Sequence, residues 1–444
     1  MKKILLFFCM LMTAVSGFAE YKDSLGIYNK TYINKTYWRY DFRYESKDIA
    51  GKPIVLSAAI FINKNLAEKK QDGKGCILLN HFTITDNADR PTNVHESTKL
   101  EGALQSMKYF IIESDGIGFG NTVHLPQPYL QGRVLGMADI DAFLAGRKIL
   151  TEEGFKFDDV VLNMGYSQGG YVGTWVDRLV SEGYRHDELP KIHYSFLGAG
   201  SYDIYATYLD IIKETVTHYP VALPLVLWDI VNDSTTGVKY EDVLTKSYLD
   251  KISEWFDDKT HNTDSINAMA FRLYNTTEDK GISTNLLFTE QLWDPQSDIV
   301  QKHIKPWMIE HSTPYGDWAP WNTDTITFVQ SRTDEVVASV NAYSISEFYK
   351  KQGYTRFDVD STFTGKHTPV GTNYVMKAVQ LFSKWKPKDS TTGITQKTVS
   401  TPTSKDVYSI DGRMVLKAKD YNRCFASLPK GVYIVAGRKV VKGE

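Results

Sequence analysis

The chain has 444 residues, 42% hydrophobic and 13% aromatic, which is ordinary globular material and enough for a large core. Lys and Arg number 51 against 53 Asp and Glu, a net charge of -2 with no basic stripe, so nothing in the charge pattern calls for a nucleic-acid partner. Three cysteines with no CxxC spacing and no histidine beside them argue against a metal site.

The first residues, MKKILLFFCMLMTAVSGFAE, carry two lysines, an apolar run from Ile4 to Val15 and a small-residue exit at Gly17-Phe18-Ala19. This pattern predicts a signal peptide over 1–19, and the run is short for a membrane span. Cys9 lies inside the run, so Cys76 and Cys424 remain after processing; they are far apart in sequence and are not expected to pair. No later segment is long and apolar enough to span a bilayer. The best one, Tyr219 to Val231, is interrupted by Pro220, Pro224 and Asp229.

Residues 20–388 alternate strand and helix patterns, which predicts a mostly parallel, doubly wound α/β sheet. The strand candidates are Ile54–Phe61, Gly75–Asn80, Tyr109–Glu113, Val160–Met164, His193–Leu197, Thr325–Gln330 and Thr355–Val359. The helix candidates are Leu135–Leu150, Gly170–Glu182, Val340–Lys351 and Asn373–Trp385. From about Tyr202 to Ser312 the apolar residues recur at helical spacing with no clear parallel strand. This interval predicts a helical insertion of the kind that makes a lid. Tyr205, Tyr208, Leu209, Leu223, Leu225 and Trp228 either face a substrate or belong to the insertion's own core.

Within VVLNMGYSQGGYVGTWVDRLV, Ser167 stands between two glycines where a buried strand turns into a helix. By chance a GxSxG would arise roughly 0.1 times in a chain of this length. Small neighbours have a steric reason here, because a sharp strand-to-helix turn strains the serine and leaves no room for bulk. Such a turn exposes the hydroxyl at a helix N-terminus and aims the Gln168 amide at a developing oxyanion. A serine needs a base, and the base an orienting acid. After Thr325–Gln330 one histidine remains, His367 in FTGKHTPVG, in a loop between a strand and the helix expected near Asn373. Asp334, in the SRTDEVV loop after TITFVQ, is the best-placed acid, with Asp358 and Asp360 in reserve. Glu335, its neighbour, is expected to point elsewhere.

GYSQGG, SRTDEVV and GKHT together resemble the α/β-hydrolase superfamily. ESDGIGFGNT (113–122), the segment 128–150 and LGAGSYDIYAT (197–207) resemble its secretory lipase and esterase branch. The resemblance covers roughly residues 50 to 385 and implies acyl transfer on a Ser167–Asp334–His367 triad without metal or organic cofactor. It also implies a second oxyanion amide, either in His81-Phe82-Thr83, at Phe82, or in Asp115-Gly116, at Asp115; the alternatives stay open. The expected substrate is a small-molecule or lipid-like ester. Two other readings stand beside it. A serine aminopeptidase would need carboxylates at the site, for which Asp203, Asp210 and Glu214 are the candidates. The third reading is a secreted binding protein on an inactive hydrolase fold.

Residues 389–404, DSTTGITQKTVSTPTS, read as a linker. After it, 405–444 shows short alternating runs broken by Asp411-Gly412 and Pro429-Lys430-Gly431, which predicts a small all-β module. VYSIDGRMV and LPKGVYIVAGRKVVK resemble the sorting domain of type IX secretion. That likeness implies contact with secretion machinery and a secreted or cell-surface protein.

Overall fold

The structure of the chain, a computed structural model, describes residues 25–95, 100–189 and 191–387, and then 407–409, 414–417, 428–429, 431–435 and 438–442. The signal-peptide segment, the linker and Cys424 lie outside the described residues. The chain divides into two compact units, 1–386 and 387–444.

A nine-stranded sheet organises the first unit. In chain order its strands are β1 (Gly26–Ile33), β2 (Tyr37–Lys47), β3 (Pro53–Asn63), β4 (Cys76–Asn80), β5 (Phe110–Ser114), β6 (Val161–Tyr166), β7 (Tyr194–Gly198), β8 (Ile326–Val329) and β9 (Phe357–Asp360). Their spatial order is β1-β2-β3-β5-β4-β6-β7-β8-β9. The first three pairings are antiparallel and the remaining five parallel. Sequence patterning located seven of these strands to within two residues and missed β1 and β2.

The central strands are apolar end to end because both faces are covered. CILLN and VLNMGY are buried at every position. Side chains alternate between the two faces. Leu78 and Ile112 pack with Phe143 of α1 (Gly132–Glu152) and Val176 of α2 (Gln168–Ser181). Ile77, Leu79 and Met164 join the opposite core.

Between β7 and β8 lies the helical insertion. Its main helices are α3 (Ile204–Ile211), α4 (Ala222–Asn232), α5 (Thr263–Leu273) and α6 (Lys305–His311). They enclose a core of their own, with Leu227, Trp228, Tyr248, Ile266 and Ile304 at its centre, and it extends onto Tyr171 and Trp175 of α2. A short antiparallel pair, Val216–Thr217 with Ile282–Ser283, and a single antiparallel bridge between Leu244 and Phe288 are the insertion's β pairings among the described residues. Asp229 fastens α4 to the main body by accepting the Leu130 amide at 2.8 Å and the Gln131 side chain at 2.9 Å.

The unit closes with α7 (Val340–Lys351) and α8 (His367–Lys384). Val370, Tyr374, Ala378 and Phe382 of α8 fill the core under Ile77 and Met164. The expectation of a helix start near Asn373 needs correction, because α8 begins at His367 itself. Pro369 falls in the first turn, where its missing N–H costs nothing, so it does not stop the helix. Among the described residues no helix is long and apolar enough to cross a membrane. The second unit contains a four-stranded antiparallel sheet in the order Met414–Leu416, Val407–Ser409, Gly431–Val435, Arg438–Lys442.

Candidate active site

Ser167 occupies the single residue between β6 and α2, with φ 59° and ψ -123°. A side chain rarely adopts that conformation, and the surroundings over-determine it. The Ser167 amide donates to the Gly198 carbonyl at 2.9 Å, and its carbonyl accepts from Tyr171 at 3.1 Å. A Cβ at Gly165 would collide with the main chain of Gly169, and one at Gly169 with the Asn80 carbonyl. Both glycines are therefore demanded by close backbone approach. Beneath the turn, Asn80 donates to Asn163 at 2.9 Å and to the Met164 carbonyl at 2.8 Å, while Asn163 donates to Gly173 at 2.8 Å. These buried amides tie β4, β6 and α2 together directly under the serine.

His367 Nε2 lies 2.9 Å from Ser167 Oγ, across 200 residues of sequence. Its Nδ1 lies 2.8 Å from Asp334 Oδ2. A carboxylate only accepts, so Nδ1 carries the proton and Nε2 is left to accept the serine O–H. The Asp334 side chain is fully buried and that of His367 is 8% exposed. The other Asp334 oxygen accepts the amides of Val336 at 3.0 Å and Val337 at 2.8 Å, so the carboxylate is held at both ends. Asp358 and Asp360 are engaged elsewhere, with the Val359 amide and with Thr362.

Two contacts escaped the sequence reading. Glu335 does not point away, because its Oε2 accepts the His367 amide at 3.0 Å. Tyr166, the variable residue before the serine, donates to the His367 carbonyl at 2.7 Å and stacks a tilted ring 5.2 Å from the imidazole. Adjacency to Asp334 was the available signal for Glu335; nothing in the sequence pointed to Tyr166.

Ser167, Gln168 and His367 open onto a cavity of about 420 Å³. Gln168 is the first residue of α2, so its amide has no carbonyl one turn earlier to bind. Its side chain donates to the Tyr129 carbonyl at 2.7 Å, and the Tyr129 hydroxyl pairs with Thr83 at 3.0 Å. Burial pushes that phenol up to about 12, so it stays a neutral hydroxyl. Phe82 and Thr83 line the same cavity. His81 Nδ1 donates to the Phe82 carbonyl at 2.7 Å, and burial holds the imidazole below its ordinary range.

Asp115 corrects an expectation. Its amide donates to the Ser57 carbonyl at 2.9 Å, in continuation of the β3–β5 ladder, and is thereby occupied. Its carboxylate binds Ser57 and Thr92, and burial raises it to about 6. Of the two sequence candidates for a second amide, the Phe82 loop is the one at the cavity.

The insertion gives the cavity the apolar side chains of Tyr208, Ile211, Leu223, Leu225, Val226 and Met308, and beside them Thr207, Tyr219, Thr263 and Asp264. Of the six aromatic and aliphatic candidates, Tyr208, Leu223 and Leu225 line it. Trp228 is buried in the insertion's core, with Tyr205 and Leu209 packed against that core. The three acids sought for an ammonium group are elsewhere, while Asp264 of α5 lines the cavity. Asp203 caps α3 and accepts from Ser344 at 2.6 Å. Asp210 pairs with Lys213 at 3.0 Å, and Glu214 is exposed outside the cavity. Among the described residues no three His, Cys, Asp or Glu side chains converge to hold a metal ion.

The architecture is shared with solved structures of low sequence similarity. The rice cell wall degrading esterase LipA from Xanthomonas oryzae superposes with a TM-score of 0.63 at 18% identity, over 79% of this chain and 92% of LipA. The chain has the α/β-hydrolase fold. A Legionella pneumophila protein matches at 0.66 and 16% identity, over 83% of this chain and 92% of that one. Candida antarctica lipase A matches at 0.53 and 14% identity, over 82% and 83%. No protein-family model and no curated protein matches the sequence. At these identities the likeness carries the fold, and the chemistry rests on the site itself.

Proposed function

We propose that the chain is a serine hydrolase that cleaves carboxylic esters through an acyl-enzyme on Ser167. One observation carries the reading, the unbroken hydrogen-bonded line from Ser167 Oγ through His367 to Asp334. In this mechanism Ser167 Oγ attacks the ester carbonyl as His367 Nε2 takes its proton. Asp334 keeps the proton on Nδ1 and stabilises the imidazolium that forms. The amides of Gln168 and Phe82 hold the tetrahedral oxyanion, each worth about 2.7–4 kcal/mol of barrier. His367 then protonates the leaving alcohol. Water, activated by the same base, releases the acid.

The aliphatic and aromatic side chains that the insertion gives the cavity support an aliphatic or aryl acyl group, in keeping with the esterase and lipase activities named for LipA and Candida antarctica lipase A. Asp203, Asp210 and Glu214 are all directed elsewhere, and Asp264 is the one carboxylate among the lining residues, short of the cluster an ammonium pocket needs, which favours esters over substrates bearing a free ammonium. The intact polar line favours an enzyme over an inactive binder. A fluorophosphonate probe and a panel of p-nitrophenyl esters set against aminoacyl-anilides test the reading. Expected are labelling at Ser167 and turnover of esters, both lost in Ser167→Ala. Full ester turnover by Ser167→Ala would end it.

Export belongs to the same proposal. Its support is the leader pattern of residues 1–19 and the likeness of residues 405–444 to a sorting module. The mass of the mature protein recovered from culture medium tests it: loss of residues 1–19 is expected, and a full-length chain retained in the cytoplasm counts against it.

A further inference from the structure

We propose that Glu335 is a positioning residue, holding the main chain of His367 while Asp334 holds its side chain. The inference rests on the serine-hydrolase reading above.

His367 is the first residue of an 18-residue helix, so its N–H has no acceptor within the helix. The residue before it, Lys366, supplies no side-chain cap. Glu335, 32 residues earlier, takes that role at 3.0 Å. Its neighbour Asp334 binds Nδ1 of the same histidine at 2.8 Å. Consecutive acids therefore grip one residue at two points. Tyr166 holds a third point, the carbonyl, at 2.7 Å.

The two loops that meet here are also stitched directly. Ser331 Oγ donates to the Gly365 carbonyl at 2.7 Å, and the Gly365 amide donates to Thr333 Oγ1 at 3.0 Å. The Asp334 carboxylate gathers the amides of Val336 and Val337, which stiffens the turn carrying both acids. Sliding or fraying of the first turn of α8 would carry the imidazole away from Ser167. Glu335 couples that turn to the loop that orients the ring. An ester hydrolase needs its base held to a fraction of an ångström, and small misplacement is costly in rate.

The test compares Glu335→Ala with Glu335→Gln in the full chain. The glutamine keeps an oxygen that accepts the amide; the alanine does not. Steady-state turnover of a p-nitrophenyl ester, the rate of fluorophosphonate labelling, exchange of the His367 amide and the thermal midpoint are read on both. For the alanine variant we expect kcat and labelling rate to fall about ten-fold with KM within about two-fold. Its His367 amide should exchange faster, with the thermal midpoint nearly unmoved. The glutamine variant should recover wild-type behaviour to within about two-fold. Wild-type kcat in Glu335→Ala, an equal loss in both variants, a loss confined to KM, or global unfolding of the alanine variant would each overturn the proposal. Ester turnover surviving Ser167→Ala would instead remove the reading beneath it.

Discussion

Ser167 is the most expensive residue of the site, since a positive φ in a residue other than glycine costs about 1–3 kcal/mol. That cost predicts a separation of stability from activity. Ser167→Gly relieves the strain and, net of glycine's extra unfolded-state freedom, should gain about 1 kcal/mol in urea unfolding while losing all ester turnover. Ser167→Ala keeps the strained φ and should show no such gain. At Asp334, the Asn variant can still accept the Val336 and Val337 amides through its oxygen, so the fold should be unchanged. Its NH₂ cannot accept from Nδ1, and kcat should drop by about 10⁴. Wild-type kcat in Asp334→Asn would place the acid elsewhere. Ser167, Asp334 and His367 were legible because motif, chain order and strand ends all constrain them. Glu335 was not. Adjacent side chains often diverge, and only the approach of α8 brings an amide to its carboxylate.

Buried polar ties decide how the elements dock. Asp177 of α2 accepts Ser195 of β7 at 2.7 Å and Thr323, before β8, at 2.8 Å. Burial raises it to about 7, above its unfolded value. Between those values the folded chain holds a proton that the unfolded chain has lost, so this contribution shrinks as pH rises. The advantage of wild type over Asp177→Asn in denaturant unfolding should therefore be largest at or below about pH 4 and smallest near about pH 8. A difference that is flat with pH would mean that Asp177 is ionised in the fold. Lys259 plays the corresponding part for the insertion. Its ammonium reaches the carbonyls of Gly118 at 2.7 Å, Val123 at 2.8 Å and also Leu125. Lys259→Met orphans these acceptors and should cost about 2–4 kcal/mol, with limited proteolysis cutting first within 202–312. Neither tie was visible in sequence, where a lone lysine reads as a solvated surface residue. Strands β1 and β2 escaped for a related reason. In YWRYDFRYESK charged residues interrupt the aromatics, and Arg39 and Asp41 go inside as a pair 2.6 Å apart.

At the scale of the molecule, the cores around the sheet and the insertion all lie within residues 1–386, and the small sheet of the second unit has its own apolar cluster at Val407 and Tyr433. Ending the chain at residue 388 should leave the thermal midpoint of the first unit and its kcat/KM for a p-nitrophenyl ester unchanged. A loss of either would show that the first unit depends on residues 389–444. The sequence alone determined the class of sheet, the presence of a helical insertion and the three residues that meet at the sheet's edge. Those come from period, order and local sterics, which act over a few residues. The tertiary structure alone decided that Asp115 spends its amide on Ser57, that Glu335 holds the histidine's backbone, and which insertion residues wall the cavity. Each of these depends on which distant group arrives opposite a donor or a surface, and no local pattern encodes that meeting.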